Sequence, residues 1–316
     1  MHSVNFSDIA AAHDRIRPHI HRTPVMKSDF LNQQVGCEVF FKCENFQKVG
    51  AFKARGACNA VFSLTPDQAS KGVVTHSSGN HGAALAWAAR KRGVSATVVV
   101  PENAPAPKKR AIEGFGAKIV FCAPTVQARE STTNELIAKH GFELVHPYDD
   151  DRVIAGQGTA AKELIEEIGH FDIVMSPTGG GGLLSGTSIS VRHLLPGAKV
   201  FGGEPKGADD AYRSFTSGAL VTEQTPKTIC DGLRTTLSPR TLAIIRQNVD
   251  AIVTSEEATI VRAMRMIWET LKIIVEPSCC PPLAAILENP ADFRGKRVGI
   301  ILTGGNVDLE KLPWQV

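Results

Sequence analysis

Four short segments gather residue types that could hold an anionic, electrophilic ligand. Gly50-Ala51-Phe52-Lys53-Ala54-Arg55-Gly56 sets a lysine among small residues and an aromatic ring. Such surroundings strip water from an amine, and a desolvated lysine sheds its proton more readily and attacks an aldehyde. Taken alone, the same lysine also reads as a surface residue opening a helix. Ser77-Ser78-Gly79-Asn80-His81-Gly82 offers hydroxyls and free N–H groups at a helix start, a cradle for a carboxylate; Ser78 or Asn80 could equally serve there as an N-cap. Gly179-Gly180-Gly181-Gly182 lets the backbone aim several N–H groups at one phosphate beside a helix N-terminus, and it matches neither G-x-x-x-x-G-K-[ST] nor G-x-G-x-x-G. Thr303-Gly304-Gly305-Asn306 has turn composition and adds a neutral hydroxyl.

Each segment follows a strand-like run, the place where ligands bind in parallel α/β sheets. These runs are Glu38 to Lys42, Gly72 to Thr75, Ala96 to Val100, Lys118 to Phe121, Ile173 to Met175, Lys199 to Gly202 and Val298 to Leu302. Between them the spacing predicts helices over Ser7 to Arg17, Gly82 to Arg92, Ala160 to Ile168 and Ser255 to Ile274, with Gly93 as a stop. Alternating strands and helices imply an α/β fold with buried parallel strands and helices on both faces.

Composition narrows the function classes. The chain has 316 residues, 43% hydrophobic and 21% charged, ordinary for a folded domain pair. Thirty-five Lys and Arg against 32 Asp and Glu leave a formal charge of +3, too small for a nucleic-acid surface, so a small anionic partner is expected. Seven cysteines, odd in number and without C-x-x-C spacing, indicate neither a disulfide framework nor a zinc site. Met1-His2-Ser3-Val4 does not open a basic-then-apolar secretory pattern, and no apolar run reaches membrane-spanning length, so a cytoplasmic enzyme with no membrane partner is expected.

The order of these segments resembles the fold type II pyridoxal-phosphate (PLP) enzymes, in particular the serine racemase and serine/threonine dehydratase group, from Arg22-Thr23-Pro24 to Gly305-Asn306-Val307-Asp308-Leu309. The resemblance implies a two-domain α/β fold like the tryptophan synthase β chain, each domain an open, mostly parallel sheet covered by helices. Residues 1–72 and 142–316 would form the larger, cofactor-binding domain and residues 73–141 a small mobile one. It further implies that Lys53 joins the cofactor as a Schiff base, Phe52 flanks it, and Asn80 meets its phenolic oxygen. Gly179, Gly180, Gly181 and Gly182 would hold the phosphate, and Thr303 would face the pyridine nitrogen, leaving it unprotonated. Ser77, Ser78, Asn80, His81 and Arg129 would surround the substrate, with Ser78 as the second acid/base group opposite Lys53. Glu204, Asp210 and the Ala208 carbonyl match a divalent-cation site suited to magnesium, with calcium or manganese as alternatives; a solvated acidic turn is the reading from spacing alone. The family also implies a homodimer.

The activity so implied is dehydration of a β-hydroxy amino acid to a 2-oxo acid and ammonia. Arg129 offers a partner for a second carboxylate, which sets 3-hydroxyaspartate ahead of serine and threonine. Racemisation of serine or aspartate shares the constellation and is the alternative; a binding protein without turnover is the third reading. Departures from the family are Glu276-Pro277-Ser278-Cys279-Cys280-Pro281-Pro282 in place of a Gly-containing stretch, Ala83 in place of a glutamine, and His146-Pro147-Tyr148-Asp149-Asp150-Asp151. The vicinal thiols read as buried and inert rather than redox-active, and the aspartate run as a helix cap.

Overall fold

The structure, a computed structural model, describes residues 4–314; Met1, His2 and Ser3, read above for a secretory pattern, lie outside the described residues. The strands are β1 (Val25–Met26), β2 (Glu38–Cys43), β3 (Val73–His76), β4 (Ala96–Pro101), β5 (Lys118–Cys122), β6 (Glu143–Leu144), β7 (Ile173–Pro177), β8 (Lys199–Pro205), β9 (Ala251–Ser255) and β10 (Arg297–Leu302). Every strand-like run of the sequence is among them. They form a six-stranded sheet ordered β1-β2-β10-β7-β8-β9 and a four-stranded sheet ordered β5-β4-β3-β6. Only β1 runs antiparallel, pairing Val25 with Lys42. The smaller sheet draws its strands from residues 73–144, so it also takes in β6, just past the expected limit at 141.

Central strands are buried on both faces, as parallel strands under helices must be: β7 has no accessible residue, and β10 buries Val298 through Leu302. The Ala-rich helix Asn80–Arg92 buries Ala84, Ala88 and Ala89 and ends at left-handed Gly93. Its small side chains bring it close to the helix Lys53–Phe62, which packs on its other side against the helix Asp151–Ile168. That last helix starts well ahead of Ala160. Gly156 and Gly158 look like breakers in sequence, yet a Cβ on Gly156 would stand 2.6 Å from the Gly56 Cα, so the glycine is there for close helix approach. Asp150 caps the helix, accepting from the Arg152 and Val153 N–H groups, as the aspartate run suggests. No helix among the described residues is long and apolar enough to cross a membrane.

One buried ionic cluster locks the helices Lys53–Phe62 and Asp151–Ile168 to β2. Arg55 is fully buried and forks onto two carboxylates: Nε and Nη2 donate to Glu44 at 2.7 and 2.9 Å, while Nη1 and Nη2 donate to Glu163 at 2.9 and 2.7 Å. Lys42 Nζ reaches Glu163 at 2.7 Å and the Thr23 carbonyl at 2.7 Å. Burial by itself would raise the Glu163 carboxyl, but hydrogen bonds from His13 and Arg55 and the charges of Arg55 and Lys42 pull it well below the usual carboxylate range. A carboxylate depressed in the folded state adds stability that is complete above its unfolded pKa, about 4.3, and is lost as pH falls through and below that value. Urea unfolding is therefore expected to show stability falling steeply on acidification below about pH 5. Glu163→Gln should flatten that dependence and cost about 3–5 kcal/mol at neutral pH, because Arg55 and Lys42 then share one carboxylate.

Candidate active site

The carboxyl ends of β10 and β7 meet the first turn of the helix Lys53–Phe62. Thr303, just past β10, accepts the Phe52 N–H at 2.9 Å; Ala51 bridges Gly304, and the Gly305 N–H donates to the Gly50 carbonyl at 3.0 Å. The lysine loop is thereby stitched onto the Thr303 turn. The Lys53 Nζ donates to the Pro147 carbonyl at 2.8 Å and lies 5.0 Å from the centre of the Phe52 ring. Desolvation lowers the Lys53 amine to about 8, against a smaller opposing pull from Glu276.

Asn80 opens its helix after Gly79, an N-cap that supplies no side-chain acceptor, so the sequence alternative of a capping Ser78 or Asn80 does not hold. The N–H groups of this first turn receive no capping side chain. Ser77 Oγ instead accepts the Gly79 N–H at 3.3 Å, and Ser78 sits half-buried beside it. The Asn80 amide ties the smaller layer to the larger: its Nδ2 donates to both Glu276 oxygens at 2.9 and 3.2 Å, and its Oδ1 accepts from Asn306 Nδ2 at 3.0 Å. Burial raises the Glu276 carboxyl to about 7, with Asp231 adding to the effect. An ion pair between Lys108 and Asp231 makes a second tie between the layers. His81 is turned inward: its Nε2–H donates to the Val145 carbonyl at 3.0 Å, and its buried Nδ1 has no partner.

The four glycines connect β7 to the helix Gly182–Leu194. A Cβ on Gly180 would stand 2.4 Å from the Tyr148 ring, and Gly181 has the left-handed φ of 85°. The loop therefore admits no side chain and leaves its amides uncovered by one. On the following turn, Ser185 Oγ is buried without a partner. Amides at a helix N-terminus beside an orphaned hydroxyl fit a phosphoryl group. Tyr148 follows Pro147, so the residue abutting this loop adjoins the carbonyl that takes Lys53.

Two groups of sequence candidates lie outside this centre. Arg129, in the helix Val126–His140 of the smaller layer, makes one weak contact, from Nε to the Thr125 carbonyl at 3.4 Å, and no ion pair among the described residues. It is close enough to His76 to help burial hold that imidazole below its ordinary value. His76 stacks edge-on with His146, and His146 with Tyr148. Glu204 lies at the end of β8 and Ala208 and Asp210 just past it, all buried. Glu204 accepts from the Ala211 and Tyr212 N–H groups at 3.0 and 2.8 Å, whereas Asp210 faces the Leu237 backbone and the Gln224 amide. Burial and the neighbouring Asp210 push Glu204 up to about 9, and burial pushes Asp210 up to about 7. No cluster of three or more His, Cys, Asp or Glu side chains occurs among the described residues; a cation here would rest on two carboxylates and backbone oxygen.

Sequence reasoning missed Glu276 and Tyr148 as site residues. Glu276 was noted only as part of an unusual stretch, and its place against Asn80 follows from that stretch folding back on Gly304. All seven cysteines are free and buried, as expected for inert thiols.

A family model described as pyridoxal-phosphate dependent enzyme matches residues 16–304. A β-hydroxyaspartate dehydratase of Paracoccus denitrificans is 51% identical over 314 residues, covering 99% of this chain and all of that protein. An L-threo-3-hydroxyaspartate ammonia-lyase of Saccharomyces cerevisiae is 48% identical over 307 residues, covering 97% and 94%. The crystal structure of serine racemase from Dictyostelium discoideum superposes with a TM-score of 0.92 at 52% identity, covering 97% of this chain and 99% of that one.

The lowered amine gives a direct expectation. Acylation of Lys53 in the unloaded protein, followed by peptide mass spectrometry, should rise through pH about 8. Exposed lysines should respond about two units later. Glu276→Gln, which removes the carboxylate that favours the ammonium, should move the Lys53 midpoint lower still.

Proposed function

The chain belongs to the pyridoxal-phosphate-dependent enzyme family, and on that premise we infer that it is a lyase that converts a β-hydroxy amino acid to a 2-oxo acid and ammonia. The observation that carries the reading is Lys53: a desolvated amine on the Pro147 carbonyl, next in sequence to the tyrosine that abuts the glycine loop. Pyridoxal phosphate, bound here, supplies an electron sink for the charge left when the substrate's α-proton departs. The chain's own groups do the rest.

Lys53 holds the cofactor through its amine and, once released, is the base that takes the α-proton; an amine with a pKa near 8 is suited to both tasks at neutral pH. Gly179 to Gly182 and the first turn after them would bind the phosphate through N–H groups, Phe52 would border the ring, and Thr303 would meet its nitrogen. Asn80, its amide fixed by Glu276 and Asn306, would border the phenolic oxygen. Ser77, Ser78 and the uncapped turn that follows bind the substrate carboxylate, with His81 supporting that turn from behind through Val145. Closure of the layer built from residues 73–141 over the larger one would exclude water from the reacting carbon.

Substrate choice turns on Arg129. A guanidinium with no carboxylate partner at the edge of the histidine cluster suits the second carboxylate of 3-hydroxyaspartate, in keeping with the relatives named above. Racemisation is the second reading, favoured by Ser78, a hydroxyl able to return a proton from the side away from Lys53. A divalent cation, magnesium first, would fit Glu204, Asp210 and the Ala208 carbonyl, because burial raises both carboxyls and Asp210 raises Glu204 further, a repulsion one cation would relieve.

Borohydride reduction of the holoenzyme should leave a cofactor adduct on Lys53, and Lys53→Ala should lose both adduct and turnover. No adduct at that position would sink the proposal. Arg129→Met should lower kcat/KM for 3-hydroxyaspartate by about 10- to 100-fold while changing that for serine little. Ser78→Ala should abolish D-serine formation from L-serine and retain pyruvate release, both read in one assay. A chelator should lower the Tm of the wild type and leave that of a Glu204→Gln/Asp210→Asn variant unmoved.

A further inference from the structure

Thr303 is buried, and among the described residues its hydroxyl bonds only the Cys279 sulfur, at 3.3 Å. That sulfur, in the short helix Pro277–Cys279, lies 2.9 Å from the Gly304 carbonyl oxygen and 3.2 Å from the Gly304 nitrogen. A carbonyl can only accept, so the single thiol proton goes to Gly304. Only lone pairs remain on the sulfur for its other neighbours, and it accepts from the Gly304 N–H and from the Thr303 hydroxyl. Burial pushes the thiol up to about 12, so it keeps its proton at working pH. The donor and acceptor capacities thus assign each hydrogen in the cluster.

We propose that Cys279 is a positioning residue for Thr303: its sulfur holds the hydroxyl with a weak bond that Thr303 exchanges for one to the pyridine nitrogen when the cofactor enters. The inference rests on the cofactor reading of Lys53 and Thr303. Sulfur is a poor acceptor, so the buried hydroxyl has a partner in the unloaded protein yet gives up little on turning to a ring nitrogen. An oxygen at the same place would keep the Thr303 proton and leave its lone pairs facing the ring, which favours a protonated ring nitrogen. A methyl would leave the hydroxyl without a partner and its orientation unset. The two Gly304 contacts fix the sulfur on the Thr303 turn itself, the same turn whose carbonyl anchors Phe52, so the arrangement moves as one piece with the lysine loop.

Two measurements test this. In the unloaded protein, the infrared difference between wild type and Cys279→Ala isolates one S–H stretch; it should lie at the lowered frequency of a donating thiol and shift in Thr303→Val. A free-thiol frequency, or one indifferent to Thr303→Val, overturns the proposal. In holoenzyme carrying an isotopically labelled ring nitrogen, NMR should place the wild type on the unprotonated, hydrogen-bonded side. Cys279→Ser should move the resonance toward pyridinium. Cys279→Ala should not, and should bind the cofactor about fivefold more weakly. If the serine and alanine variants shift the ring nitrogen alike, Cys279 merely packs and the proposal falls. Borohydride trapping separates the two readings: without a Lys53 adduct the cofactor reading fails and the exchange with it, whereas an adduct with either overturning result removes the role of Cys279 alone.

Discussion

The arrangement depends on a guanidinium that no water reaches. Arg55 lies two residues beyond Lys53 on the same helix turn, and its fork onto Glu44 and Glu163 fixes that turn against β2 on one side and the helix Asp151–Ile168 on the other. Charges so placed cost a great deal to desolvate and are tolerable only because each proton of the fork finds an oxygen. The geometry is correspondingly unforgiving, and it transfers that rigidity to the reactive lysine. Phe52, hung from the Thr303 carbonyl, supplies the complementary restraint from the front.

Around Lys53 the electrostatics share one direction. Burial lowers the lysine, lowers His146 to about 4, keeps His81 neutral, raises Glu276 to about 7 and raises Tyr148 to about 12. The surroundings of Lys53 are thus made mainly of oriented amides, hydroxyls and neutral groups rather than a cluster of cations. Oriented dipoles in a dry site need no reorganisation as charge moves, which suits a reaction that shifts a proton and expels a hydroxyl. Arg129 stands apart from them, beside His76 at the edge of the histidine cluster.

Much of this was legible in the sequence, for identifiable reasons. Strands such as Val298 to Leu302 announce themselves because a strand buried on both faces must be continuously apolar. The glycine run and Lys53 are visible because their chemistry needs unusual local composition. What escaped notice was set by long-range folding. Glu276 becomes a site residue only when the Pro277 segment turns back to Gly304, and nothing in Glu-Pro-Ser encodes that return. β1 and β6 have two residues each, too few for any periodicity. The early part of the helix Asp151–Ile168 was hidden by Gly156 and Gly158, whose value lies in what another helix needs from them. His81 is legible only as part of its motif, and the helical turn carries its ring to the Val145 carbonyl just past β6.

The place of β10 in the larger sheet has a kinetic side. It lies between β2 and β7, yet 259 residues separate Glu38 from Arg297, which it carries into register with Glu38. During vectorial synthesis the ribosome delivers both flanking strands, and the whole smaller sheet, long before the strand that joins them. Until then β2 and β7 have exposed edges, a state in which nascent chains depend on protection from chaperones. Thr303 arrives with that same strand, so the turn that anchors the Phe52 N–H, and with it the Lys53 loop, is completed only when the last strand of the sheet is in place.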